Sequence, residues 1–288
     1  TVVSNALNST NTALKFAASI GAGEATGGYA EFFVGNTRVG TSSTIVAADT
    51  VVTYTTEING VVTSTPAEVQ NIITQGGQVV AKLYDAAGNV ITANGPTLVR
   101  DTHPPTQPSG VTILPTGGVI TTNTLNGTNT SMSFEATIAA GEATGGRADF
   151  FLANQFMGSD TDIADHDNSV SFNLGTSSNT ELVGRIPQGG ELVVALYDAA
   201  GNVVRSNSAS NPVLVWDVTK PVITKIFSTT ADGPYRAGQP IALSVETDED
   251  IADAGSTLVL TLATGTAAEQ NSPATPDRTV TLTRDIDN

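Results

Sequence analysis

The chain has 288 residues, carries 28 acidic against 12 basic residues for a formal net charge of −16, and contains no cysteine. That excess of negative charge repels a phosphate backbone, which excludes nucleic acid as a partner. Disulfide staples, Cys-ligated zinc and thiol catalysis are excluded by the missing thiols, and a transmembrane helix by the lack of any run of about 18 apolar residues.

Only 14% of residues are charged, and Thr, Ser, Asn, Gly, Ala and Val dominate, a balance that favours strands joined by many turns. The length exceeds what one hydrophobic core serves, so two or three domains of about 100 residues are expected. The chain opens Thr1-Val2-Val3 with neither an initiator Met nor a charged-then-apolar leader, so any signal peptide is expected to have been removed or left out.

In chain order, the first period-two alternation is Leu14, Phe16, Ala18, Ile20, followed by a Gly-Glu-Ala-Thr-Gly-Gly turn at Gly23–Gly28 and a second alternation at Ala30, Phe32, Val34. A third strand is predicted through Val79, Ala81 and Leu83, ending at the turn Asp85-Ala86-Ala87-Gly88-Asn89. A Pro-bearing linker follows at Asp101-Thr102-His103-Pro104-Pro105.

The pattern then starts again. Ala6–Asn36 matches Thr124–Asn154 at about 19 of 31 positions, an internal repeat. Met132, Phe134, Ala136, Ile138, then Ala148, Phe150, Leu152, then Leu192, Val194, Leu196 reproduce the three strands, and Asp198–Asn202 repeats the turn. The second copy closes with Asp217-Val218-Thr219-Lys220-Pro221. Half-buried strands separated by Gly, Asn and Asp clusters point to antiparallel β-sandwiches rather than a parallel sheet. The expectation is an all-β chain of tandem immunoglobulin-like β-sandwiches forming an elongated rod. Its domains are 1–103, 104–217 and a third, incomplete Ig-like β-domain at 218–288, where alternation continues at Ile241, Leu243, Val245 and Leu258, Leu260, Leu262.

The segments Tyr84–Val90 with Asp101–Pro105, and Asp198–Asn202 with Asp217–Pro221, resemble the closing strands of bacterial Ig-like repeats of large adhesins and surface-layer proteins. Ser228–Ile241, with its Ala-Asp-Gly-Pro-Tyr-Arg-Ala-Gly-Gln-Pro-Ile run, and Leu258–Gly265 resemble a different bacterial surface β-domain, departing from it at the acidic Asp248-Glu249-Asp250. Both resemblances imply repetition on an exported surface polymer, an extracellular location on the bacterial cell surface, and no chemistry.

The Ig-like resemblance also implies calcium at domain junctions, held by the turn and linker carboxylates: by position Asp85 with Asp101, and Asp198 with Asp217. A turn and a linker together can supply the six to eight oxygens that Ca2+ takes. The same Asp-Ala-Ala-Gly-Asn run is equally an ordinary hairpin turn, with Asp accepting backbone N–H bonds. Glu24 and Glu142, in the duplicated Gly-Glu-Ala-Thr-Gly-Gly turn, are candidates to complete such a site. Asp160, Asp162, Asp165 and Asp167 around His166 form a further acidic loop that lacks EF-hand spacing.

His103 and His166 are the only histidines, and no Ser-His-Asp order surrounds either. Trp216 is the only Trp, which argues against a stacked sugar-binding cleft. Duplication without a catalytic constellation makes the expected function non-enzymatic: a self-assembling surface-layer, filament or stalk component whose partners are copies of itself or other surface components. An extended Thr1–Leu7 segment is the candidate for pairing with a neighbouring subunit. The alternatives are an adhesin segment that binds host glycan or protein through loops such as Thr41–Asp49 and Ser159–Asn168, and accessory domains of a larger secreted enzyme.

Overall fold

The computed structural model describes residues 2–233, 239–249, 258–262 and 278–282, and it is almost wholly β. It divides into two compact units, Thr1–Val218 and Thr219–Asn288.

The first unit begins with strands β1 (Ala6–Leu7), β2 (Lys15–Ser19), β3 (Tyr29–Val34), β4 (Thr37–Thr41) and β5 (Val51–Thr55). A small hairpin of β6 (Glu57–Ile58) and β7 (Val61–Val62), a short helix α1 (Pro66–Ile72), β8 (Gly77–Tyr84) and the long β9 (Val90–Arg100) complete the first sandwich. One sheet runs β1-β9-β8-β3-β4 and faces the pair β2-β5. β1 lies parallel to β9, and the other pairings are antiparallel. The period-two alternation sends Phe16, Ala30, Phe32, Val34, Val52 and Tyr54 into the space between the sheets. There Phe16 meets Phe32 with ring centroids 5.9 Å apart and Tyr54 at 6.4 Å.

The second sandwich repeats this plan with β10 (Ser109–Thr116), β11 (Thr124–Leu125), β12 (Ser131–Thr137), β13 (Arg147–Leu152), β14 (Gln155–Asp160), β15 (Ser169–Gly175), α2 (Asn179–Arg185), β16 (Gly190–Tyr197), β17 (Val203–Arg205) and β18 (Val213–Trp216). Its larger sheet runs β11-β18-β16-β13-β14, with β17 also on β16, and again the short first strand is parallel to the last. Phe134, Phe150 and Phe172 form the central triad, with centroids 6.4 to 6.5 Å apart. The smaller sheet differs between the two: it is three-stranded here, β10-β12-β15, but only β2-β5 in the first sandwich.

Neither short helix is marked by hydrophobic periodicity, yet each has a readable start. Thr65 caps α1 and Glu68 closes the reciprocal capping box, with Pro66 in the first turn. Ser178 caps α2, where Glu181 accepts from Ser177 N–H at 3.0 Å. Each helix sends one aliphatic residue, Val69 or Leu182, fully out of solvent into its sandwich.

The second unit contains two antiparallel pairs, β19 (Ile223–Ser228) with β20 (Leu243–Thr247) and β21 (Leu258–Leu262) with β22 (Arg278–Leu282). Within the motifs read from the sequence, residues 234–238, Asp250, residues 263–265 and the final Asp285–Asn288 lie outside the described residues.

Candidate functional site: the joint between the sandwiches

Both copies of the Asp-Ala-Ala-Gly-Asn turn adopt one conformation. Asp85 Oδ1 accepts from Ala87 and Asn89 N–H at 2.9 and 2.8 Å, and Asn89 Nδ2 donates to Asp85 Oδ2 at 2.7 Å. In the second copy Asp198 accepts from Asn202 N–H at 2.9 Å and from Asn202 Nδ2 at 2.7 Å. The glycine is left-handed in both, φ 90° at Gly88 and 86° at Gly201, which a Cβ would disfavour. The Asn89 side-chain amide, followed by the Asn89 and Ala87 N–H groups, holds the Asp85 carboxyl below its ordinary value.

Their surroundings differ. In the first sandwich Ala86–Asn89 are exposed, whereas Asp198, Ala200, Gly201 and Asn202 are buried, Asn202 completely. The second turn is covered by the opposite end of the first sandwich. Asn8 Nδ2 donates to Ala200 O at 2.9 Å, Ser9 N–H to Asn202 Oδ1 at 2.7 Å, and Asn202 Nδ2 to Asp101 O at 3.0 Å. The receiving loop, Leu7-Asn8-Ser9-Thr10-Asn11, is itself braced: Asn11 Oδ1 accepts from Asn8 N–H and Asn8 Oδ1 from Thr10 N–H. The buried Asn8, Asp198 and Asn202 side chains all meet directional partners here, as buried polar groups require.

The linker is fastened alongside. Thr106 N–H donates to Glu142 Oε2, the Thr106 hydroxyl followed by this N–H holds the Glu142 carboxyl below its ordinary value, and Gln107 Nε2 donates to Arg205 O at 2.8 Å. A shallow cleft of about 280 Å³, lined by Val3, Gly145, Arg147, Thr161, Tyr197 and Asp198 among others, opens beside the turn. Within it Arg147 lies over the Tyr197 ring at 4.0 Å and donates to Asp149. The equivalent place in the first sandwich is filled instead by Tyr29 stacked on Tyr84 at 4.8 Å.

The expected carboxylate pairs are not the ones that meet. Asp85 and Asp101 bracket the eleven-residue β9, which at about 3.3 Å per residue separates them by roughly 30 Å or more. Asp198 and Asp217 stand likewise at opposite ends of β16, next to the Tyr197↔Val203 and Gly190↔Leu214 pairings respectively. What comes together is Asp101 with the Asp198–Asn202 turn of the next sandwich. Asp217 N–H donates to Leu125 O, as Asp101 N–H does to Leu7 O.

Glu24 stays in its own turn, folded against Gly21. In the acidic loop, Asp160 accepts from Asp162 and Ser171 N–H, Asp167 Oδ2 from Ala164 N–H at 2.7 Å, and His166 Nε2 lies 3.8 Å from Asp167 Oδ1. Asp165 approaches Gly141. The Asp160 and Asp167 carboxylates brace the loop, and among the described residues no group of three or more His, Asp or Glu is arranged around a point where a metal ion would fit. At the joint both Asp198 oxygens already accept from Asn202. Of the Thr1–Leu7 segment, Asn5–Leu7 pair with β9 of their own sandwich, while Val2 is exposed and Val3 borders the cleft beside the second turn.

The joint residues Asn8, Asn11 and Asn202 are not singled out by the sequence reading. Their signal was present in the shared Leu-Asn-x-Thr-Asn run of the two copies, where only a side-chain role explains retained Asn and Thr outside the strands.

No protein-family model matches the chain, and no curated protein does. Among solved structures it is similar to the fibronectin(III)-like modules of CbhA from Clostridium thermocellum, at 13% identity and TM-score 0.37, covering 74% of this chain and 89% of that one. It is also similar to a Ca2+-stabilized adhesin with which an Antarctic bacterium reaches out and binds ice, at 17% identity and TM-score 0.35, over 78% of this chain and 49% of that one. A 1.5-MDa bacterial ice-binding adhesin is similar at 17% identity and TM-score 0.33, over 74% of this chain and 61% of that one. The chain thus spans about half and about three fifths of those two adhesin chains. No helix among the described residues is long and apolar enough to cross a membrane.

Proposed function

We propose that this chain is a non-catalytic structural component of the bacterial cell surface, an extracellular spacer in which consecutive Ig-like sandwiches are locked end to end. The observation that carries the reading is the side-chain-specific joint: a buried Asn202 that ties its own turn to Ser9 and Asp101 of the preceding sandwich. Flexible linkers between independent modules leave such groups in water, whereas here hydrogen bonds aligned in several directions resist bending at the joint.

Calcium stiffening is the finer part of the proposal. Its support is that Asp101, Asp198 and Glu142 all come to the joint and its linker, although an ion would compete with Asn202 for the Asp198 carboxylate. Addition of CaCl2 is expected to raise the melting temperature and chelator to lower it. An unchanged transition in both would remove calcium from the proposal and leave the mechanical role standing.

Surface labelling decides the role itself. Antibody against this chain is expected to decorate intact cells that make it and to lose its target on mild protease treatment. Label found only after lysis, or a hydrolytic activity residing in these 288 residues, would overturn the reading.

A further inference from the structure

Two independent features leave the first sandwich unfinished at the face where the second sandwich is closed. In the second sandwich β10 runs antiparallel to β12, with Ile113 opposite Phe134 and fully buried. Met132, Ala136 and Ile138 beneath it are at most 5% exposed, and Leu192, Val194 and Leu196 of β16 at most 1%. In the first sandwich no strand among the described residues covers the corresponding edge of β2, and Leu14, Ala18, Ile20, Val79, Ala81 and Leu83 remain only half-buried. The groove has the apolar floor of a sandwich and lacks its cover. The Asp85–Asn89 turn is the second feature. It is pre-shaped as the buried Asp198–Asn202 turn is, yet its Ala86–Asn89 face is exposed.

We infer that the first sandwich is a receiving module for a further sandwich of this class, joined on its N-terminal side. The incoming strand lies antiparallel to β2 with a branched aliphatic opposite Phe16, filling the gap that Ile113 fills over Phe134. The Leu-Asn-x-Thr-Asn loop of the same incoming sandwich caps the Asp85–Asn89 turn, its Asn amide on Ala87 O and the following N–H on Asn89 Oδ1. This occupant follows from continuity with the joint inside the chain, where the preceding sandwich supplies both parts: its linker leads into β10, and its Asn8-Ser9 loop covers Asp198–Asn202. The second copy's own loop is not free to serve, because Asn126 Nδ2 is turned inward to Val119 O at 2.8 Å. The inference rests on the end-to-end reading above and names the partner of its exposed end.

The test is an extended chain in which residues 2–123 are followed directly by residues 6–288, so that Asn123 leads into Ala6 as it naturally leads into Thr124. Hydrogen exchange of the 79–91 peptide is expected to split into two equal populations, one at least about tenfold slower, because only the inner copy is capped. A single fast population beside a protected Asp198–Asn202 segment overturns the inference and leaves the proposed role intact. Fast exchange at Asp198–Asn202 as well removes both. Should the extended chain not fold, a synthetic peptide of residues 107–118 added at millimolar concentration to the full chain is expected to slow exchange at Lys15 and Ala17, whose N–H groups face the open edge because Leu14 and Ile20 bond toward β5, and no slowing overturns the inference. Dimerisation of the unextended chain with protection at Ala17 would assign the groove to a second copy and likewise overturn it.

Discussion

Replacing Asn202 by Ala separates the contribution of the joint from that of the turn, because the chain contains its own control. The Asn202 side chain makes three hydrogen bonds: it accepts from Ser9 N–H at 2.7 Å, and donates to Asp101 O at 3.0 Å and to Asp198 Oδ2 at 2.7 Å. The bond to Asp198 is buried and the other two are partly buried, so their loss leaves a backbone donor, a backbone acceptor and one carboxylate oxygen short of a partner. With about 1 kcal/mol per neutral bond, more for the bond to a charged group, and an added penalty for each buried group left unpaired, the expected cost is about 3 to 5 kcal/mol. At Asn89 the same truncation removes one bond, to Asp85 Oδ2, in a place where water replaces it, and the expected cost is below about 1 kcal/mol. For a unit of this size that difference, about 2 to 5 kcal/mol, amounts to a melting shift of roughly 4 to 20 °C. Calorimetry on Asn202→Ala and Asn89→Ala reads it directly, and exchange at the Ser9 amide reports whether the loss is at the joint. Equal shifts for the two variants would refute the claim that docking, rather than turn formation, gives Asn202 its importance.

Further predictions follow from single contacts. Because the folded Asp85 carboxyl is held below its usual range, its stabilising contribution is complete above the unfolded value near 4 and is lost as pH falls through the lower folded value. A carboxyl NMR titration should place its midpoint below that of an ordinary Asp, and Asn89→Ala should raise it; a midpoint unmoved by that variant contradicts the assigned cause. Glu142→Ala removes one of the linker's two ties to the second sandwich, so the Thr106 amide is expected to exchange faster with little change in the melting of either core. Gly158→Ala places a Cβ about 2.2 Å from the Phe172 ring and should lower stability by about 1 to 3 kcal/mol or more, whereas Gly175→Ala, which meets open space, should be close to neutral in the same melt. Indistinguishable melts for these two glycines would contradict the packing of Phe172 across β14.

Much of the architecture could be read from side-chain periodicity. Phe16, Phe32, Phe134 and Phe150 face inward because the pleat sends alternate residues to one side, and that alternation is written in the order of residues. The Asp-Ala-Ala-Gly-Asn turns are legible for the same reason: Asp and Asn bond the backbone a few residues away, and Gly supplies the left-handed position. The capping box before α1 was visible in Thr65-Pro66-Ala67-Glu68, but its helix is too short to show periodicity.

What chain order could not reveal was which distant groups meet. Carboxylate pairs inferred from nearness along the repeat, Asp85 with Asp101 and Asp198 with Asp217, fall at opposite ends of strands, since an extended strand carries its ends apart. Two identical turns have different fates, one wet and one buried against Asn8 and Ser9, and nothing inside five shared residues distinguishes them. Local bonding determines the shape of the turn and is a property of the sequence; burial belongs to whatever packs against the turn, and only the folded chain brings residues 192 positions apart to within 2.9 Å.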